Sequence, residues 1–233
     1  MIKQLPFAQS LLILSFLFFM KNHTLAQDSY GGQIFTKESY QYGRFEMRMR
    51  SAEGDGIISS FFLYNLEAGK NCRWPAEKNE IDVEMTGNDQ NLYFTTHHPD
   101  PNQPWSIGEE FDLSFNPHRS FHRYAIEWEP GIVRWFVDDD LVYVQDGQAS
   151  NNLKYPMAIM MNLWAAPFES WVGVWDPSVM PKSSVYDYVT YAAYTPGGGV
   201  SEQAEIILRY GKMISILWTL KGGNFPILTR SVP

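Results

Sequence analysis

Three carboxylates stand at alternate positions in the stretch KNEIDVEMTG, residues 78–87: Glu80, Asp82 and Glu84. Ile81 and Val83 fill the gaps between them. Residues i, i+2 and i+4 of a strand share one face, so the acids project together and the aliphatic side chains point toward a core. A charged strand edge facing solvent accepts such a pattern, although three like charges on one face repel. The spacing also suits acid/base cleavage of a glycosidic bond with retention. That reaction needs a nucleophilic carboxylate and a proton-donating carboxylic acid about 5–5.5 Å apart. Cα atoms at i and i+4 of a flat strand lie about 13 Å apart, so the carboxyl ends must lean inward, helped by a concave sheet and the length of Glu. A central aspartate raises the proton affinity of both neighbours, which helps keep one acid protonated beside one that is ionised.

The elements that must position these acids read as strands from about residue 30 to residue 195. In YGRFEMRMRS, Phe45, Met47 and Met49 point one way and Glu46, Arg48 and Arg50 the other. GIISSFFLYN follows the Gly-rich turn EGDG, and FHRYAIEWEPGIVRWFVDDD reads as a hairpin turning at Glu129-Pro130-Gly131. YPMAIMMNLW and SVYDYVTYAAY complete the series. Capped amphipathic helices are missing, and many short strands with regular turns predict a β-sandwich or barrel. The adjacent histidines His97 and His98 would face opposite sides of a strand, with no third ligand at a suitable spacing, so they read as loop or cleft-rim residues.

The chain has 233 residues, enough for one domain with a sizeable core, and 15 % of them are aromatic, including eight Trp. A net charge of −8 argues against nucleic acid as a partner. Residues 1–26 read as a secretory signal: Lys3, the apolar run SLLILSFLFFM and a small-residue cleavage site after Ala26. The run is too short to span a bilayer. This predicts a secreted or periplasmic protein with no membrane association after signal cleavage. The single cysteine, Cys72, excludes an internal disulfide.

NEIDVEM resembles the E-[IL]-D-x-E signature of family-sixteen glycoside hydrolases. The match continues in order through YGRFEMRMRSAEGDGIISSFFLY, FHRYAIEWEPGIVRWFVD, IMMNLW and YDYVTY, over about residues 30–197. Together these segments resemble the bacterial lichenases, endo-β-1,3-1,4-glucanases. The resemblance implies an all-β, concanavalin A-like jelly-roll sandwich with a concave substrate cleft that takes a β-glucan polysaccharide. It implies Glu80 as nucleophile, Glu84 as acid/base and Asp82 as the auxiliary carboxylate. No extra residue separates Asp82 from Glu84, unlike the bulged form of laminarinase-like members, which favours mixed-linkage glucan over pure β-1,3-glucan. Phe62, Tyr64, Trp164 and Trp171 match positions lining sugar subsites, with plain core packing as the alternative for each. Asn162 shares the strand face of Trp164 and can reach a sugar hydroxyl. The tryptophan that lichenases place two residues before the nucleophile is displaced here, since Trp74 stands six before Glu80. Bond cleavage requires no cofactor in this reading, while Asp187 in VYDYV matches a ligand position of a structural calcium. A monomer is expected. The competing readings are a non-catalytic, lectin-like carbohydrate-binding sandwich and an endo-β-1,3-glucanase.

The sandwich domain is therefore expected over residues 27–197, with a PGGG linker and a tail over 198–233 that has no clean period. In permuted lichenases the opening strands follow a YTPG junction, which YAAYTPGGG resembles. Back-translated from Glu205 and read two bases later, the tail can spell N-N-F-T-L-W-K-D-D-F-D, similar to that missing opening. This predicts an out-of-frame tail, an incomplete sandwich and unpaired sheet edges.

Overall fold

Side-chain alternation decides the layers. In GRFEMRMR, residues Phe45, Met47 and Met49 are fully buried and every intervening residue is partly exposed. The structure, a computed structural model, describes residues 31–66, 78–98, 106–179, 181–218 and 228–232. The predicted signal, Cys72 and Trp74 lie outside the described residues.

The chain runs through β1 (Gly31–Thr36), β2 (Gly43–Arg50), β3 (Ile57–Tyr64), β4 (Glu80–Thr86), β5 (Asn91–His97) and β6 (Ser106–Asp112). It continues through β7 (His122–Glu129), β8 (Ile132–Val137), β9 (Asp140–Asp146), α1 (Gln148–Asn151), β10 (Ala158–Ala165) and α2 (Glu169–Val172). The last strands are β11 (Lys182–Thr195), β12 (Gly199–Val200), β13 (Glu205–Trp218) and β14 (Leu228–Val232). Both helices have only four residues, in keeping with the absence of amphipathic helix signals.

One sheet has the order β14-β1-β10-β3-β4-β5-β6; the other has the order β12-β11-β2-β7-β8-β9, with β13 also pairing β11. The two curled sheets form a jelly-roll sandwich. The predicted hairpin forms β7 and β8, with Glu129 opposite Ile132 and Gly131 at φ 82°. Asp138 and Asp139, at φ 50° and 77°, then turn the chain into β9. Asp tolerates that left-handed conformation better than most residues.

The core fills the space between the sheets. Ile81, Val83 and Met85 of β4 meet Phe61 and Leu63 of β3, Phe94 of β5, and Met47, Ile126 and Trp135 from the opposite sheet. The tail departs from the expectation of open edges: β13 pairs antiparallel with β11, and β14 pairs parallel with β1. An exposed edge offers backbone donors and acceptors that any extended segment can satisfy, which is why a tail without clean periodicity can still add strands.

Candidate active site

Strand β4 lies near the middle of its sheet, between β3 and β5. Its ladder runs from Glu80 to Thr86 against β3 and from Glu80 to Met85 against β5, with no register shift. Glu80, Asp82 and Glu84 therefore occupy the face turned away from the core. Two features anchor this sheet from behind. Trp135 Nε1, on the opposite sheet, donates to the Asp82 carbonyl at 3.0 Å. Tyr186 Oη reaches the carbonyls of Asn162 at 2.9 Å and Ser60 at 3.1 Å, beneath the row that contains Glu84. Just past the strand end, a Cβ on Gly87 would lie 2.2 Å from the Gly54 carbonyl oxygen, so this close approach requires glycine.

Asn79 fixes the entry to the strand. Its side-chain amide donates to the carbonyls of Lys78 at 2.9 Å and Asn152 at 3.1 Å. Its oxygen accepts from the backbone N–H of Lys154 at 2.6 Å and of Tyr155 at 3.0 Å. One buried amide thus ties the lead-in of β4 to the loop before β10.

Register assembles the rest of the face. Tyr64, Glu80 and His97 lie across one row of β3, β4 and β5; Phe62, Asp82 and Thr95 form the next. Ser60, Glu84 and Tyr93 form a third row, which Asn162 of β10 extends. Trp164 lies opposite Ile58, one row further along. Trp171, on α2, packs edge-on against Tyr93 at 5.1 Å between ring centroids, while Phe168 lies edge-on to Trp164 at 6.4 Å. Among the residues expected at subsites, Tyr64, Asn162, Trp164 and Trp171 are partly exposed on this face. Phe62 shares the face but is buried in an apolar cluster with Ala158 and Met160, so it serves as floor. Ser60 Oγ and Asn162 Oδ1 are buried and have no hydrogen-bond partner among the described residues. Buried polar atoms are normally satisfied, so these two give this face unmet hydrogen-bonding capacity.

The three acids have unequal neighbours. Lys78 Nζ forms an ion pair with Glu80 Oε2. His97 Nε2 lies 3.2 Å from Asp82 Oδ2 and 3.9 Å from Glu80 Oε2. Among the described residues no cation pairs with Glu84. Burial, followed by the charge of Asp82, raises Glu80 to about 7, with Lys78 and His97 opposing the rise. Burial raises Asp82 to about 8, against the pull of Lys78. Glu84 is pushed well above the usual carboxylate range by burial, then by Asp82 and Glu80. Burial lowers His97 to about 4, which leaves the ring uncharged at neutral pH. Glu84 is accordingly the proton holder, and Glu80 is the acid best supplied with positive charge.

Two sequence expectations change here. His97 is part of the acid cluster, where the linear reading made it a loop or rim residue. Donor atoms of Glu80, Asp82 and His97 gather within 4.8 Å of one another, because the β4–β5 register supplies partners that linear spacing hides. The Lys78 ammonium on Glu80 already provides the local cation. Asp187, the expected calcium ligand, lies on β11 in the other sheet, where the ladder shifts register between Tyr186 and Tyr188. Its carboxylate is engaged by Arg48 Nη1 at 2.5 Å, and among the described residues no metal-ligating cluster of acids and histidines includes it. Lys78, His97 and Asn79 are the site residues that sequence reasoning missed.

A jelly-roll sandwich carrying buried acids and aromatic rings on one sheet face belongs to the class of carbohydrate-active sandwiches. Comparison with known proteins narrows that class. The profile of Glycosyl hydrolases family 16 matches residues 17–180, and the chain belongs to that family. It is 36 % identical to a β-glucanase of Brevibacillus brevis over 180 residues, covering 73 % of this chain and 63 % of that protein. Among solved structures, Bacillus licheniformis β-glucanase is similar, with a TM-score of 0.57 and 31 % identity over 66 % of this chain and 68 % of that one. The laminarinase catalytic domain of Thermotoga maritima is similar with a TM-score of 0.56 and 26 % identity, over 66 % of this chain and 65 % of that one. The chain spans between 50 % and 64 % of the length of the first curated relatives it matches.

Proposed function

We propose that this chain is an exported endo-glycosidase that cleaves mixed-linkage β-1,3-1,4-glucan with retention of configuration. The observation that carries the reading is the unequal partnering of the acids: Lys78 on Glu80, and no cation on Glu84 among the described residues. Glu80 attacks the anomeric carbon while Glu84 donates its proton to the departing glycosidic oxygen, leaving a glycosyl ester on Glu80. Glu84, now ionised, takes a proton from water; the water oxygen bonds to the anomeric carbon and Glu80 leaves as a carboxylate. Asp82, between them, raises the proton affinity of both. Aromatic rings of Tyr64, Trp164 and Trp171 offer faces for sugar rings, and Asn162 offers a polar contact.

The unbulged β4 ladder supports the mixed-linkage preference, and the leader-like residues 1–26 support export. Similarity to a laminarinase catalytic domain keeps β-1,3-glucan as the competing substrate. Initial reducing-sugar rates on barley β-glucan and on laminarin separate the two, and the first is expected to be faster. Glu80→Gln is expected to abolish turnover on both while leaving binding of the polymer intact. The first-formed product, followed by NMR, should be the β-anomer. An α-anomer, or unchanged turnover in Glu80→Gln, would overturn the mechanism.

A further inference from the structure

Lysine is rarely buried without a reason, because desolvating an ammonium is expensive unless it is paired. Lys78 is 8 % exposed, two residues before Glu80 on the lead-in to β4. Its ammonium contacts Glu80 Oε2 and lies 6.0 Å from the ring centroid of Tyr64. Its backbone is held by Asn79, whose amide makes four hydrogen bonds in all. This is a fixed charge on the floor of the acid cluster, unlike the mobile lysines of a protein surface.

The groups facing Glu80 are few. Asp82 and Glu84 share its strand, Tyr64 faces it from β3, and His97 faces it from β5. Among the described residues Lys78 is the cation paired with Glu80, while burial keeps His97 uncharged at neutral pH. Three acids compete for this charge, and among the described residues its ion pair is with Glu80.

We propose that Lys78 selects Glu80, from among the three acids, as the ionised nucleophile. It acts through Glu80 as a positioning residue, with its ammonium on Glu80 Oε2. The inference rests on the reading of Glu80 as nucleophile. It adds that this role comes from the lead-in residue, beyond the E-I-D-V-E stretch. An opposite charge this close favours the ionised acid by about one to three pH units.

The test uses an epoxyalkyl β-cellobioside, which the nucleophilic carboxylate opens to form a stable ester. Labelling rate is measured from pH 4 to pH 9 in wild type, Lys78→Met, Lys78→Gln and Lys78→Arg, and the labelled peptide is identified by mass spectrometry. Thermal melts report folding of each variant. In wild type the label is expected on Glu80. In Lys78→Met and Lys78→Gln the acidic limb is expected to move up by at least about one unit, a tenfold loss of rate below the limb, with recovery at higher pH. Lys78→Arg should keep the wild-type limb. Label on Glu80 with an unmoved limb in both neutral variants would overturn the role of Lys78 alone. So would a uniform loss at every pH, shared by Lys78→Arg. Label on a different residue in wild type would overturn the nucleophile assignment, and this inference with it.

Discussion

Two tryptophans allow the anchoring of β4 to be measured. Trp135 and Trp128 lie on neighbouring strands, and both are fully buried. Trp135 Nε1 donates to the Asp82 carbonyl at 3.0 Å, whereas Trp128 Nε1 is buried without a hydrogen-bond partner among the described residues. Substitution by Phe removes the same atoms from each, so the cavity cost is shared to a first approximation. The hydrogen-bond cost is not shared. Losing a net bond costs about 1 kcal/mol, and the Asp82 carbonyl keeps its place in the ladder. Trp128→Phe removes a donor that is already unpaired and carries no such cost. Trp135→Phe should therefore be less stable than Trp128→Phe by about 1 kcal/mol, or about 2 to 4 °C in Tm for a chain of this size. Thermal melts of the two variants give that difference directly. Reducing-sugar rates at 25 °C, below both melting transitions, should show a lower kcat for Trp135→Phe alone, because the bond holds the middle of β4 from behind. Equal Tm values and equal kcat values would refute the anchoring argument.

The remaining predictions concern the acid site and the tail. Glu84→Gln should abolish hydrolysis yet raise stability at alkaline pH. A carboxyl held above its unfolded pKa contributes stability that is present below the unfolded value and is lost as pH rises through the folded one. Gln does not titrate, so the Tm advantage of Glu84→Gln should grow from about pH 5 to pH 9, by about 1.4 kcal/mol for each unit of displacement. A constant difference across that range would rule out the burial of an uncompensated acid. For the tail, we propose that residues from about 200 onward are read out of frame in a permuted lichenase. A version with the frame restored should then hydrolyse barley β-glucan markedly faster than the 233-residue chain; equal rates would refute this.

How much of this could be seen in the sequence depends on which physical rule was in force. Strand alternation is local, so the buried methionines of β2 and the shared face of Glu80, Asp82 and Glu84 were legible from spacing alone. Register is set elsewhere, by turns and ladder offsets, and a slip of one residue would carry His97 to the core face. Its place opposite Glu80 was therefore invisible, as was the place of Tyr93 opposite Glu84. Phe62 and Tyr64 read alike in SSFFLY; the packing of Ala158 and Met160 around Phe62 is what separates floor from wall. Nothing in the sequence singles out Lys78, because burial by neighbouring segments leaves no local mark. The acids themselves are nearly equivalent along β4, and their differences come from what surrounds the strand. The lead-in supplies an ion pair from Lys78 to Glu80, β5 supplies His97 to the first two acids, and the strand neighbours of Glu84 are the uncharged Ser60 and Tyr93. Transplanting NEIDVEM into another sheet would carry the carboxylates across without the unequal surroundings that set them apart.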